Sequence, residues 1–330
     1  MRIVVISDSL TTLPKAVGRL ETSGHAVTYV NGLIPFPRIA AEGLAPLDEA
    51  DAIVMGRVME TDAAALDLVP NARVIALHTS GTDNVDIDAA SERGIQVTNV
   101  KGVNAAQCAE FSIGLMLAIT RQIAAGDAAI RAGRWAAGTD NSMDVFGATL
   151  GLVGLGQIGR EAARRAKAFG MRLICHTRTP DEALARELGI EYMPLDQLLA
   201  EADVVSLYAS LSDQTRGMIG AAEIARMRPS AYLVNIARGE LIDEAALTDA
   251  LKANRIAGAA LDVFQTEPLT ESPLFGLPNT VLTPHMAGLT RNAKSDAAVL
   301  AVRNALAVLA GDEALNPVNS PADRPRRQHA

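Results

Sequence analysis

Short apolar segments rich in β-branched residues alternate with alanine-rich segments of helical character along almost the whole chain. Strands that alternate with helices are typical of βαβ units, in which each helix returns the chain so that successive strands run parallel. Segments such as LVGL and YLVNI are apolar throughout, as strands are when helices cover both faces of their sheet. The pattern therefore predicts an α/β fold with strands at residues 3–6, 27–30, 52–55, 74–77 and 96–99, and again at 149–153, 172–176, 204–208, 232–235, 258–263 and 281–283.

A long Ala/Leu-rich helix, predicted at about residues 104–125, separates the two sets of strands. The chain has 330 residues, and a single hydrophobic core stops growing below that length. We therefore expect two Rossmann-like or flavodoxin-like α/β domains with parallel sheets. Residues 1–100 form the first and residues 101–286 the second. A final helix at about residues 291–309 is expected to return to the first domain, which then also includes residues 287–330.

Composition argues against several classes of protein. The net charge of −8 is unsuited to a nucleic-acid surface, and no apolar run is long enough to cross a membrane. Cys108 and Cys175 form neither a disulfide framework nor a metal-ligand spacing, so no metal site is predicted. The start, MRIVVISDSL, reads as a strand and not as a signal peptide, which makes a cytoplasmic location the expectation. The tail PADRPRRQHA is expected to be disordered.

The segment Gly154-Leu155-Gly156-Gln157-Ile158-Gly159 is a G-x-G-x-x-G sequence between a predicted strand and a predicted helix at residues 160–169. In that context it indicates dinucleotide binding. The first glycine allows a tight turn, the second lets the backbone approach a pyrophosphate, and the third lets the helix pack close to the strand. The helix N-terminus, with Gln157 and Ile158, then offers N–H groups to the phosphates. Residues 101–286 are therefore assigned as the dinucleotide-binding domain, and the other domain as the substrate domain.

The next strand ends in HTRTP, where a dinucleotide enzyme reads the ribose of the adenosine. NAD enzymes place an Asp or Glu there, whereas a basic residue accommodates the extra phosphate of NADP. Here the positions are Thr177, Arg178 and Thr179, and the first carboxylate is Asp181. This favours NADP as the cofactor, with NAD as the alternative if Arg178 only faces solvent.

A nicotinamide enzyme that acts on an alcohol or a carbonyl needs a proton carrier, and histidine suits that role near neutral pH. Two of the five histidines are well placed. His285, in TPHMAG, follows a strand and lies at the carboxyl edge of its sheet, where ligands bind. His78, in LHTSGTDN, follows a strand of the first domain. The active site is therefore expected in the cleft between the two domains, with His285 or His78 as the acid/base.

Four segments in order, GLVGLGQIG, NIARGELID, ALDVFQTEP and TPHMAG, resemble the D-isomer-specific 2-hydroxyacid dehydrogenase family. Further similarity in GTDNVDIDAASERGIQVTNV and MRPSAYLVNIARGELIDEAAL extends the resemblance over nearly the whole chain. It implies an oxidoreductase that transfers a hydride between NAD(P)H and a small 2-oxo or 2-hydroxy acid.

The resemblance also implies roles for individual residues. His285 is the acid/base, Glu267 bonds its other ring nitrogen, and Arg238 holds the 2-oxo acid and polarises its carbonyl group. Asp262 orients the nicotinamide amide, and Ala237 also belongs to the cofactor site. The backbone of Ser80 and Gly81 binds the substrate carboxylate. The substrate-binding set is thus Ser80, Gly81, Arg238 and His285.

The sequence departs from the family pattern at several positions. Thr79 takes the place of the first glycine of the substrate loop, and Lys101 that of a proline. Tyr208-Ala209-Ser210 replaces a His-x-Pro segment, and Thr177 replaces the NAD-binding Asp. Because of the first two changes, the family pattern does not identify the substrate. The last change favours NADP.

Several functions remain open. The leading one is a reductase of the glyoxylate/hydroxypyruvate type. The alternatives are a phosphoglycerate dehydrogenase-like enzyme, an enzyme that oxidises phosphite or formate on a similar scaffold, and a dinucleotide-sensing protein like the corepressors that resemble this family. The apolar helix FSIGLMLAI also predicts a homodimer, because one domain face is not expected to cover it.

Overall fold

The computed structural model describes residues 1–32, 34–56, 60–135 and 142–321. The chain divides into two compact units. The first comprises Met1–Asn104 and Thr290–Ala330, and the second comprises Ala105–Leu289. The sequence places these boundaries at 100/101 and 286/287. Apart from its first residue, the predicted disordered tail lies outside the described residues.

The first unit has a five-stranded sheet in the order β2-β1-β3-β4-β5, and all of its neighbouring strands are parallel. This is the flavodoxin-like order. Alternate residues of β1 enter different cores: Val4 and Ile6 pack on one face, and Ile3 and Val5 on the other. The strands are β1 Arg2–Ser7, β2 Ala26–Asn31, β3 Ala52–Met55, β4 Val74–Leu77 and β5 Gln96–Thr98.

Helices cover both faces of this sheet. The long helix α12 packs with α1 against one face, and five of its eight buried residues are alanine, which allows close approach to the strands. Several helices begin at an Asp or Thr whose side chain accepts a backbone N–H of the first turn, for example Thr290 at the start of α12. The helices of this unit are α1 Pro14–Glu21, α2 Phe36–Glu42, α3 Ala63–Leu66, α4 Ile87–Glu92 and α12 Arg291–Ala310.

The second unit has a seven-stranded parallel sheet in the order β12-β11-β10-β9-β6-β7-β8. The order changes direction between β6 and β9, which is the arrangement of a Rossmann fold. The predicted fold class is therefore confirmed. The strands are β6 Thr149–Val153, β7 Arg172–His176, β8 Ile190–Tyr192, β9 Val204–Leu207, β10 Tyr232–Asn235, β11 Gly258–Leu261 and β12 Thr280–Leu282.

The structure corrects several predicted elements of this unit. Strand β8 was not predicted, and the strands predicted at 204–208, 258–263 and 281–283 end earlier, so that Tyr208, Asp262 and Thr283 belong to strand-end loops. The helix predicted at 160–169 begins inside the glycine motif, at Gln157. The helices are α5 Ala105–Thr120, α6 Ile123–Arg131, α7 Gln157–Ala168, α8 Glu182–Leu188, α9 Leu195–Glu201, α10 Ala221–Arg226 and α11 Glu244–Lys252.

The prediction of a single helix at 104–125 is wrong, because the first helix, α5, ends at Thr120. Gln122 adopts a left-handed conformation with φ of 52°, which ends α5 and starts α6 in a new direction. Within the described ranges no single helix is long and apolar enough to cross a membrane. The pair α5 and α6 reaches that length and composition only together, and is bent by 61°.

Candidate functional site

The predicted functional residues of the second unit lie in loops that follow β6, β7, β10, β11 and β12. All these strands are parallel, so their carboxyl ends meet at one edge of the sheet. The glycine loop follows β6, at the point where the strand order changes direction. Ligands of open α/β sheets bind at this point, outside the carboxyl ends of the strands.

The glycine loop is built as a dinucleotide cradle. Gly154 has a φ of 99°, and a Cβ there would lie 2.8 Å from the backbone nitrogen of Ala209. A Cβ at Gly159 would lie 2.5 Å from the carbonyl oxygen of Gly154, so only glycine lets α7 come this close. Beyond Gly156, by contrast, the space is open to 4 Å, and Gln157 beside it is exposed at the start of α7. An accessible backbone at a helix N-terminus fits a pyrophosphate.

Tyr208, the first residue after β9, supports this loop. A Cβ at Gly154 would lie 2.9 Å from the carbonyl carbon of Tyr208. The Tyr208 hydroxyl is 2.6 Å from the Ser112 hydroxyl on α5, and burial raises the pKa of Tyr208. The tyrosine therefore stays a neutral, hydrogen-bonded part of the floor beneath the loop. Sequence reasoning noted this departure from the family pattern but not its contact with the loop.

The loop after β7 presents Thr177, Arg178 and Thr179 at the surface. Thr177 is half-buried, and Arg178 and Thr179 are exposed. In the described part of the chain, no hydrogen bond or ion pair occupies the Arg178 guanidinium. Asp181, the first carboxylate after the strand, is already engaged: its side chain accepts the Leu184 N–H at the start of α8 and pairs with Arg160. The loop therefore offers a free cation and two hydroxyl groups.

Arg238 lies in a loop that buried Asn235 shapes at the end of β10. The Asn235 amide nitrogen donates to the carbonyl oxygen of Arg238 (2.8 Å), and its amide oxygen accepts the N–H of Ala237 (3.0 Å). The Arg238 guanidinium donates to the carbonyl oxygen of Ala237 (2.7 Å). A Cβ at Gly239 would lie 1.9 Å from the carbonyl carbon of Phe264, so any larger residue there forces apart the loops after β10 and β11. Sequence reasoning missed both Asn235 and Gly239.

Asp262, at the end of β11, has no exposed surface. Its carboxylate accepts hydrogen bonds from the Thr283 hydroxyl (2.6 Å) and from the N–H groups of Met286 (2.9 Å) and Ala287 (2.8 Å). Its carbonyl oxygen accepts the N–H of His285 (2.8 Å). Asp262 thus fixes the loop that carries His285. Its predicted contact with a nicotinamide amide stays a prediction.

His285 is held from a second side by Glu267. The ring Nδ1 lies 2.7 Å from Glu267 Oε2 and 2.9 Å from Oε1, and the two side chains are 24% and 25% exposed. Glu267 Oε1 also accepts the N–H of Phe264 (3.2 Å). The backbone of His285 has a φ of 49°, which non-glycine residues rarely adopt outside constrained sites. This pairing sets the orientation of the ring.

The two histidine candidates differ in their surroundings. His78 follows β4 in the first unit, with Nε2 3.3 Å from the Ser7 hydroxyl. Burial lowers the pKa of His78, against a smaller opposing effect of Asp8, so its neutral form is favoured. The Glu267 carboxylate bonds the His285 ring, whereas within the described ranges no carboxylate is hydrogen-bonded to the His78 ring. The structure therefore favours His285 as the acid/base.

The predicted substrate loop, with Ser80 and Gly81, lies in the first unit after β4. The Asn99 amide donates to the carbonyl oxygen of Ser80 (2.9 Å), and the N–H of Val100 donates to that of Thr79 (3.1 Å). The Thr79 hydroxyl donates to the carbonyl oxygen of Gly81 (3.1 Å). In all three hydrogen bonds the acceptor is a carbonyl oxygen of the loop. Thr79, which stands where the family has a glycine, donates one of them. The carboxylate-binding role of Ser80 and Gly81 stays a prediction.

The comparisons with known proteins agree with the geometry. A family model for the D-isomer specific 2-hydroxyacid dehydrogenase, NAD binding domain, matches residues 113–287. A glyoxylate reductase of Korarchaeum cryptofilum is 41% identical over 276 residues, which cover 82% of this chain and 83% of that protein. A D-3-phosphoglycerate dehydrogenase of Mycobacterium tuberculosis is 40% identical over 276 residues, which cover 84% of this chain but only 52% of that protein.

A solved structure resembles the chain over its full length. The NADPH-dependent glyoxylate/hydroxypyruvate reductase of Sinorhizobium meliloti, in complex with NADP and malonate, has a TM-score of 0.84 at 31% identity and covers 99% of both chains. These matches agree with the G-x-G-x-x-G loop and with the His285–Glu267 pair at one edge of the sheet. The chain therefore belongs to the D-isomer-specific 2-hydroxyacid dehydrogenase family of oxidoreductases.

Proposed function

We propose that this protein is an NADPH-dependent reductase of small 2-oxo acids such as glyoxylate or hydroxypyruvate. The observation that carries the proposal is the His285 ring held by Glu267, at the sheet edge that also carries Arg238 and the glycine loop. The names of the Korarchaeum cryptofilum and Sinorhizobium meliloti relatives support the substrate class.

The residues at this edge of the sheet have different roles in carbonyl reduction. Arg238 offers planar, charge-assisted hydrogen bonds to a carboxylate and to the carbonyl oxygen beside it, which polarises that carbonyl group. His285 delivers a proton from Nε2 to the carbonyl oxygen, while its Nδ1–H group donates a hydrogen bond to the Glu267 carboxylate. Bound nicotinamide supplies the hydride. Asp262 acts through the His285 loop, because its carboxylate accepts the N–H groups of Met286 and Ala287 and its carbonyl oxygen accepts that of His285.

Substrate choice separates this proposal from its main alternative, a phosphoglycerate dehydrogenase-like enzyme. We expect the unmutated protein to consume NADPH with glyoxylate and hydroxypyruvate, and to use 3-phosphohydroxypyruvate with a lower kcat/KM. The measurement is the loss of reduced-nicotinamide absorbance with each acid and each cofactor. A higher kcat/KM for the phosphorylated acid would assign the alternative. Tight NADPH binding without turnover of any acid would assign a dinucleotide sensor.

The exposed cation after β7 predicts the cofactor preference. A 2′-phosphate gains a charge-assisted contact with Arg178, worth about 1.5–3 kcal/mol, or about ten- to a hundredfold in affinity. Arg178→Ala should therefore weaken NADPH binding and leave NADH nearly unchanged. Thr177→Asp should reverse the preference, because a carboxylate there accepts the ribose hydroxyls and repels the phosphate.

Equilibrium titration and kcat/KM with both cofactors at low salt measure this preference, and added salt should erode it because the site is exposed. Arg186→Ala, which removes an exposed arginine of α8, is the control and should leave the ratio of the two affinities unchanged. An unmutated protein that prefers NADH would contradict the assignment.

Removal of the carboxylate beside His285 should slow reduction. Glu267→Gln keeps a hydrogen-bond acceptor near Nδ1 but removes the charge-assisted contact that holds the ring. We therefore expect kcat to fall, while the dissociation constant of NADPH stays nearly unchanged. Steady-state kinetics and titration with NADPH measure the two values, and an unchanged kcat would contradict the role given to Glu267.

A homodimer is also proposed, although not on the helix that first suggested it. Most of the apolar surface of α5 is covered within its own unit. Three of the exposed apolar side chains lie close together in sequence on and just after α6: Ile123 and Ile130, each more than half exposed, and Trp135, which is 91% exposed. A two-fold contact would bury them. Light scattering at micromolar concentration should give twice the chain mass, and a monomer would refute the proposal.

A further inference from the structure

Two loops at the proposed cofactor site are joined by a single arginine. Arg160, the first residue after the glycine motif, donates from Nε to the carbonyl oxygen of Leu155 inside the motif (3.2 Å). Its Nη1 pairs with Asp181 Oδ2 in the loop after β7. The same guanidinium therefore contacts the loop expected to hold the pyrophosphate and the loop expected to meet the adenosine ribose.

Asp181 is a carboxylate whose charge would oppose a preference for NADPH. It is the first acidic residue after β7, close to the spacing at which NAD enzymes place their ribose-binding carboxylate. Both of its oxygens are occupied, Oδ1 by the N–H of Leu184 (3.0 Å) and Oδ2 by Arg160. Its backbone is fixed as well, since the Tyr192 hydroxyl bonds both the N–H and the carbonyl oxygen of Asp181. The hydrogen bond from the Leu184 N–H and the contact with the Arg160 guanidinium hold the pKa of Asp181 below its usual value.

We propose that Arg160 is a specificity-determining residue for the cofactor, which neutralises Asp181 and holds it away from the ribose so that Arg178 can accept a 2′-phosphate. This inference rests on the proposed cofactor site and deepens it. Without Arg160, the Asp181 carboxylate keeps its hydrogen bond from the Leu184 N–H but loses its cationic partner, and its negative charge stands beside the loop that receives the phosphate. The carboxylate repels NADPH and has no such effect on NADH, which lacks the phosphate.

A matched pair on the same helices provides the control. Arg164, one turn further along α7, pairs with Glu187 of α8, just as Arg160 pairs with Asp181 at the start of α8. Both pairs tie α7 to α8, and both are partly exposed. Only the Arg160 pair includes a residue of the loop after β7. If the pairs serve only to join the helices, their removal should have the same effect.

The experiment measures dissociation constants of NADPH and NADH by calorimetric titration, without substrate, for the unmutated protein and for Arg160→Gln, Arg160→Lys, Arg164→Gln and the double variant Arg160→Gln/Asp181→Asn. Arg160→Gln should weaken NADPH relative to NADH by about three- to tenfold. Arg160→Lys should keep most of the preference because it keeps the charge, and Arg164→Gln should leave the ratio unchanged. The double variant should recover the preference, since the repelling charge is gone.

Three results would overturn the inference. Equal weakening of both cofactors by Arg160→Gln would mean that Arg160 only shapes the loop. A selective loss that Asp181→Asn does not reverse would mean that Arg160 contacts the phosphate itself. An unchanged ratio of the two dissociation constants in Arg160→Gln would mean that Asp181 does not repel the 2′-phosphate. The proposed preference for NADPH is tested separately, by the ratio of the NADPH and NADH dissociation constants of the unmutated protein. Thermal unfolding shows whether each variant is folded.

Discussion

Replacement of His285 by alanine should lower kcat by about 10²- to 10⁴-fold and leave the dissociation constant of NADPH nearly unchanged. The imidazole is the proton donor in this account, and Glu267 and Asp262 hold the ring and its loop in place. Since the ring acts on the substrate carbonyl oxygen, its loss removes the chemical step and not the cofactor site. Steady-state kinetics and titration with NADPH test the two halves of this prediction.

His25→Ala is a suitable control, because His25 lies in a turn of the first unit just before β2. It should keep the activity of the unmutated protein. If His285→Ala also kept nearly full kcat, the assignment would be wrong, and the buried His78 would become the candidate for the acid/base.

Replacement of Arg238 by alanine should affect binding and chemistry together. The guanidinium is expected to hold the substrate carboxylate before the reaction and the carbonyl oxygen as charge develops on it. KM should therefore rise and kcat fall, with a loss of about 10²- to 10³-fold in kcat/KM. Arg238→Lys keeps the charge but not the two-pronged geometry, and should recover only part of the loss.

Arg226→Ala removes an exposed arginine at the end of α10 and should change neither constant. An Arg238→Ala variant with a raised KM and an unchanged kcat would restrict Arg238 to substrate binding. Unchanged values of both constants would remove it from the site.

Most of the strands follow from local composition, whereas the corrected elements depend on contacts that the local sequence does not show. Strand β8, Ile190–Tyr192, is only three residues long with one fully buried side chain, and pairing with β7 creates it. The break after α5 has neither glycine nor proline, and the left-handed conformation falls on Gln122. A search for helix breakers could not find it.

The site divides in the same way. The glycine loop, Arg238, Glu267 and His285 could be named from ordered motifs, because each motif is local. Asn235 and Gly239 were missed, because their roles appear only when the loops after β10 and β11 are seen in contact. The Arg160–Asp181 pair joins residues 21 positions apart and was likewise invisible.

The identity of the product formed from hydroxypyruvate and NADPH tests the central claim most directly. Chiral chromatography of the reaction should show D-glycerate in an amount equal to the NADPH consumed, and His285→Ala should form it about 10²- to 10⁴-fold more slowly. The L-isomer would contradict the family assignment of the reaction. NADPH binding without any glycerate would contradict the proposed reductase and leave a protein that only senses the dinucleotide.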